Sequence, residues 1–235
     1  ASDVYKRQIH HRPSDKGLTV DGYGQKETGQ TTTEDKAPIR SFTWREAIKE
    51  RSFWLLSTGH SLSLLAVSSM LAHLIPHLTN SLNYSLRDAS IAFSLMTGLQ
   101  LIGIFLGGYL GDKYNKQKLV VFCMLGHFLG LLAIAFASNF FWVVIFAILH
   151  GIAWGIRGPL MVALRADYFG SKFFGTIMGF SSLIVMIGMT FGPIICGILY
   201  DYYGNYQLAF TIMASASLVG ALCFWLCESP QQSAL

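Results

Sequence analysis

From position 53 to position 227 apolar residues follow one another almost without interruption, parted only by short polar, glycine and asparagine clusters. A helix that crosses a bilayer needs about 20 mostly apolar residues, and irregular backbone inside lipid is costly because its N–H and C=O groups find no partners. Cutting the sequence at its polar clusters predicts six spans, at 53–78, 89–110, 119–137, 141–164, 174–200 and 208–227. The predicted fold is an all-α membrane protein whose six-span transmembrane domain fills 53–227. Ahead of it lies a polar tail over 1–42. A segment at 43–52 follows in which Thr43 and Glu46 stand at capping-box spacing, which predicts a short interfacial helix from Trp44. A second polar tail covers 228–235. The opening ASDVYKRQ resembles translated adapter read-through, so 1–8 are read as artefactual and set aside.

The same pattern carries an internal repeat. The second span ends in GYLGDKY, with Gly108, Leu110, Asp112 and Tyr114, and the fifth ends in GILYDYY, with Gly197, Leu199, Asp201 and Tyr203. Both read GxLxDxY, each at the end of the middle helix of a three-helix unit. An odd number of crossings separates the copies, so they face opposite sides of the membrane. Six transmembrane helices arranged as two inverted three-helix repeats are therefore predicted.

Charge sets the orientation. Lys and Arg in short loops favour the cytoplasmic side. With the tail inside, Arg45, Lys49, Arg51, Lys113, Lys116, Lys118, Arg165 and Lys172 are cytoplasmic and Arg87 alone is external, so both ends of the chain are predicted to be cytoplasmic. Tyr200, Tyr202, Tyr203 and Tyr206 would form an outer aromatic belt, with Phe53 and Trp54 marking the inner one. Composition agrees with a lipid solvent: 52% of the residues are hydrophobic and 13% charged, against roughly 25% charged in soluble domains. The net charge of +4 does not point to nucleic acid, because the basic residues are scattered through loops without a basic helix or an aromatic-basic ladder. Cys123, Cys196, Cys223 and Cys227 lie inside apolar runs without metal-ligand spacing and read as small packing residues.

These residues begin to look like a known family. GGYLGDKYNKQK at 107–118 resembles the loop motif of the major facilitator superfamily: a Gly, a Leu, an Asp-basic pair, then Gly-basic-x-basic. Asn115 stands where the family usually has Gly, and Asn tolerates positive φ better than most residues. GPIICGILYD at 192–201 is similar to the Gly-Pro stretch of the eleventh helix in twelve-helix members. RADYFGSKFFGTIMG at 165–179 resembles the loop and helix start before it. The resemblance covers 43–227 and implies half of a major facilitator fold: the central loop with the C-terminal six helices, lacking an N-terminal six-helix half without which the chain should not transport. FWLLSTGH and HLIPHLT in the first span further resemble the oxalate/formate and monocarboxylate branch. That branch holds carboxylates with basic residues in the second and fifth spans, and here there is no Lys or Arg between Asp88 and Lys113, nor after Lys172.

Candidate chemistry rests on ionisable groups within the spans, because charge there is expensive. Every Asp and Glu falls in a tail, a loop or a helix end, so the interior is neutral to positive and suits an anion. Arg157, about five residues or ~7 Å past the midpoint of its span, could hold a substrate carboxylate with its planar fork. Snorkelling, or pairing with backbone near a broken GIRGP stretch, is the plainer alternative. His150 lies two turns away on the same face. His73 and His77 share an i, i+4 face near the outer end of the first span. No third ligand accompanies them, so metal binding is not expected, and proton coupling through His73 is favoured over it. His60 and His127 read as packing residues bonded to carbonyls. Asp112 reads as a gate residue, accepting backbone N–H groups or pairing with Arg165, while Lys113, Lys116 and Lys118 serve topology. Gly103 and Gly107 form GxxxG, joined by Gly108 and Gly111, and Gly188, Gly192, Pro193 and Gly197 stud the fifth span beyond a fourth that carries Pro159. They read as close-packing positions and bends.

The function implied is secondary active transport by alternating access, for a small-molecule substrate, a small organic anion such as a mono- or dicarboxylate, with no cofactor. A non-transporting membrane sensor of the same fold is the alternative. An intramembrane hydrolase is disfavoured, because GFSSL at 179–183 lacks the second Gly of a GxSxG elbow.

Overall fold

The structure, a computed structural model, describes residues 40–231. The predicted tail up to position 39 and positions 232–235 lie outside the described residues. A one-turn helix α1 (Trp44–Ala47) leads into six long ones: α2 (Arg51–Pro76), α3 (Leu86–Lys113), α4 (Lys116–Ala135), α5 (Phe140–Phe169), α6 (Phe174–Tyr203) and α7 (Gln207–Trp225). All six are long and apolar enough to cross a membrane.

Local sequence explains where they start and stop. Ser85 Oγ accepts from Asp88 N at 3.1 Å, Asn115 Oδ1 from Lys118 N at 3.0 Å and Asn139 Oδ1 from Phe141 N at 3.1 Å, so α3, α4 and α5 each open on a polar N-cap. Asn115 has φ −63°. It therefore serves as a cap in extended backbone, not as the positive-φ turn residue expected from the family's Gly. Gly170 and Gly204 close α5 and α6 at φ 78° and 70°, where a side chain would be strained. None of the prolines breaks its helix: α5 runs continuously through Pro159, correcting the broken GIRGP stretch, and α6 through Pro193. α2 passes Pro76 into a π-helical turn, His77–Ser81.

The packing follows the repeat. α3 lies against α5, and its repeat mate α6 lies against α2. α4 touches α5, its mate α7 touches α2, and α4 and α7 pack on each other. That is the pattern a pseudo-two-fold axis relating α2–α4 to α5–α7 demands. The glycines make it possible. A methyl on Gly103 would meet the Ile152 carbonyl oxygen at 2.6 Å, and one on Gly192 would overlap the Leu65 carbonyl oxygen. Each of the two lies five residues before the Gly of its GxLxDxY motif. Gly107 is equally tight against Ile156, whereas Gly108 meets nothing and Gly197 has only the His73 ring at 3.7 Å.

Loops alternate between two ends of the bundle. At the basic end Phe42 N donates to Phe169 O at 2.9 Å, and Gln117 Nε2 to Phe224 O at 2.8 Å. At the other end Tyr206 stacks between Tyr200 and Phe210. Two belt assignments are thereby corrected. Tyr206 and Phe53 are buried, at 3% and 2% exposure, while Tyr202, Tyr203 and Trp54 do face outward.

The core is split. One apolar cluster joins Met70, Met96, Leu131, Phe146 and Phe210 near the tyrosine end, and a second joins Phe53, Val120, Leu164, Phe169 and Phe224 near the basic end. Between them lies a buried polar layer.

Candidate functional site

That layer is built from residues near the middle of the helices: Ser57, His60 and Ser61 on α2, His127 on α4, His150 and Arg157 on α5, and Ser181 on α6. Burying them is costly without partners, so their hydrogen bonds define what the site can do.

Arg165, one end of the network, is 2% exposed. Its Nε donates to Ser181 Oγ at 3.0 Å, Nη1 to Met161 O at 2.9 Å and Nη2 to His60 Nδ1 at 3.1 Å. Ser181 also bonds Ser57 at 2.8 Å. A guanidinium only donates, so His60 accepts at Nδ1 and carries its own proton at Nε2. One cation thus ties α2, α5 and α6 together through neutral acceptors. The predicted pairing of Arg165 with Asp112 is not made, because Arg165 points into the core while Asp112 stays exposed at the end of α3. Asp167, at the same end, pairs instead with Lys116, Nζ to Oδ2 at 2.7 Å, which gives Lys116 a partner beyond its topological role.

Arg157, two turns before Arg165, is 1% exposed, and its Nε and Nη1 have no hydrogen bond among the described residues. At that burial the guanidinium is enclosed by this bundle's own helices and does not snorkel. His127 and His150 meet Nδ1 to Nδ1 at 3.0 Å, with both Nε2 atoms buried and bare. Among the described residues no Asp or Glu stands within this layer, so its two guanidinium charges have no counter-ion there.

His60 and His127 were expected to bond carbonyls. They bond a guanidinium and a second imidazole instead, and the signal available in the sequence was their mid-span depth. His73 and His77, adjacent on one helix face, diverge. His73 Nε2 donates to Pro193 O at 2.9 Å and its Nδ1 accepts from Tyr206 Oη at 3.1 Å, bridging α2 to α6 and to the start of α7. His77 Nε2 donates to Ile134 O of α4 at 3.1 Å. His73 is thus anchored on both nitrogens. Lys113 and Lys118 are exposed at the basic end.

Comparison with known proteins bears on what such a bundle belongs to. Residues 56–235 match the family model described as Major Facilitator Superfamily. The chain is 25% identical to the tetracycline resistance protein, class H, of Pasteurella multocida, over 69% of this chain and 42% of that protein. It is 33% identical to monocarboxylate transporter 3 of Gallus gallus, over 57% of this chain and 26% of that protein. Among solved structures, the Escherichia coli fucose:proton symporter FucP superposes with a TM-score of 0.66 at 16% identity, covering 78% of this chain and 44% of that one. The chain thus spans less than half the length of these relatives.

Proposed function

Because the chain belongs to the Major Facilitator Superfamily, we propose that it acts as the C-terminal six-helix half of a secondary active transporter, moving a small organic anion by alternating access. Relatives of about twice the length support a second half as partner. So does burial: α3 and α6, the middle helices of the two repeats, are only 22% buried, against 44–50% for the others. Their bare apolar faces, with Phe105 and Leu183, suit a partner bundle. The scatter of basic residues supports a cytoplasmic placement of the basic end in the cell membrane.

The observation that carries the substrate sign is the pair Arg157 and Arg165, enclosed with no carboxylate of the described residues beside either. A unit charge ~8 Å from another at an effective dielectric constant of about 20 is worth ~2 kcal/mol. Two such cations in the wall of a pathway therefore favour an anion and disfavour a cation. Arg165, with His60 and Ser181, lies on the side of α5 that faces α2 and α6, and Arg157 reinforces its field from behind. In this reading Lys113, Asp112 and Asn115 at the basic end, with Gly108, act on the balance of inward and outward states. The relatives are named for a drug and for a monocarboxylate, so the carboxylate class rests on the arginines.

The test is flux. Whole carrier reconstituted in proteoliposomes should take up labelled mono- or dicarboxylates in preference to organic cations of equal size, and Arg157→Gln should lower that uptake at least tenfold. Cation uptake in place of anion uptake would overturn the substrate class, unaltered anion uptake by Arg157→Gln the role of Arg157, and no uptake at all would favour a sensor.

A further inference from the structure

A second site lies on the outside of the bundle, along the seam between α4 and α5. They touch closely at Gly126 and Gly130: a methyl on Gly126 would stand 3.2 Å from Ala153 Cβ, and one on Gly130 would stand 3.3 Å from His150 N. On the lipid side of this seam, between that contact and the basic end, lies an open cavity of about 220 Å³, walled by Leu119, Phe122, Ile152 and Ile156 and floored by Cys123 and Ala153. The walls are apolar, and Phe122 is 69% exposed, so this is a lipid-facing groove.

Lys118 lies one turn before Phe122, on the same stripe of α4. Among the described residues it has no ion pair, whereas Lys116 is committed to Asp167. From Lys118 to Gly126 the helix rises ~12 Å, close to the ~15 Å depth of one hydrocarbon leaflet. A second apolar groove continues along the same seam at Leu129, Leu132 and Phe136. No basic residue caps its far end, where Asn139 begins α5.

We propose that the inner groove is a binding site for an anionic phospholipid, with one acyl chain lying between α4 and α5 and the headgroup phosphate held by Lys118. The cation at the groove's mouth selects the headgroup, and the length of the groove selects a single leaflet. Cys123 and Ala153, which form its floor, lie in the wall that separates the lipid from Arg157 and the two histidines. The site therefore places a membrane lipid against the back of the polar layer, and it stands whether or not the layer handles an anion.

The experiment uses the whole carrier in nanodiscs holding equal parts phosphatidylglycerol and phosphatidylcholine, each in turn carrying a photoreactive group midway along one acyl chain, with adducts mapped by peptide mass spectrometry. Adducts should concentrate at 122–126 and 148–156, about fivefold more from phosphatidylglycerol, the factor one lysine contributes at an anionic lipid surface. Lys118→Gln should equalise the two lipids while keeping the adducts in place, and Ala153→Phe should suppress both. Should Ala153→Phe fail to fold, the Lys118→Gln comparison decides alone. Adducts spread evenly over the lipid-facing helices, a headgroup preference that survives Lys118→Gln, or a groove shielded by a second copy of the chain would each overturn the proposal.

Discussion

His127 on α4 and His150 on α5 face each other Nδ1 to Nδ1 at 3.0 Å in a region neither water nor lipid reaches. One nitrogen must carry the proton and the other must accept it, so the two rings hold complementary tautomers. Removing one ring leaves the other's Nδ1 buried and bare, which costs ~1–3 kcal/mol. Replacing both with leucine removes the need for the bond altogether. His127→Leu and His150→Leu should each lower thermal stability in detergent, while the double variant should lose less than their sum. Interhelical polar couplings in membranes average only ~0.6 kcal/mol, with ~1.7 as an upper end, and a coupling in that interval is expected. Strictly additive losses would show that the rings do not interact.

Arg157 and Arg165 call for opposite outcomes. Arg165 donates to three acceptors on α2, α5 and α6, so Arg165→Met leaves the His60 Nδ1 without its donor and loosens Ser181 and Met161, and should destabilise the bundle by ~1–3 kcal/mol. Arg157 has bare Nε and Nη1 atoms, and replacing an unpaired buried charge by an apolar chain of similar length is neutral or stabilising. Arg157→Met should therefore keep or raise the unfolding temperature while anion uptake falls. A stabilised but inactive variant separates a residue kept for function from one kept for the fold. Equal destabilisation by both substitutions would place Arg157 among the structural residues.

How much of this was legible beforehand depends on what a one-dimensional pattern contains. Span number, inverted repeat and helix order follow from hydrophobic run length and from GxLxDxY, because a bilayer imposes them on any sequence. The depth of His60, His127, His150 and Arg157 was likewise readable from their place in each run. Azimuth was not. Nothing in the sequence tells which neighbour a given helix face meets, so Arg165 was matched to Asp112 at equal depth when it in fact turns inward. Phe53 and Tyr206 were read as belt residues for their height, although they face the core. Asn115 was read through the glycine it replaces, whereas its side-chain oxygen makes it a helix cap.

The two glycine classes can be told apart by stability. Gly103 faces the α5 backbone, with no room for a methyl, so Gly103→Ala must push α3 away from α5 and should cost on the order of 2 kcal/mol. Gly108 faces open space, and the same change there should gain up to ~1 kcal/mol from helix propensity. If Gly108→Ala nevertheless impairs transport in the whole carrier, the requirement lies in the contact between halves. Unfolding temperatures of the two variants, measured side by side, check the first part, and equal shifts would contradict it.

The last prediction concerns pH at the start of the bundle. Glu46 Oε2 accepts from Thr43 N and Thr43 Oγ1, both at 2.8 Å, and Oε1 accepts from Arg40 Nη2 at 2.9 Å, while Thr43 Oγ1 in turn accepts from Glu46 N. The Thr43 backbone N–H, then its hydroxyl, then Arg40 hold the Glu46 carboxyl below its ordinary 4.5. A carboxyl whose pKa is lower folded than unfolded adds stability above the unfolded value and loses it as pH falls through the folded one. The α1 turn should thus stay closed at neutral pH and open only as acid passes below about 4.5. Amide exchange at positions 43–47 reads this directly, with protection falling in that window. Glu46→Gln should exchange faster at neutral pH and show no further acid step, and a step that persists in that variant would assign the titration to another group.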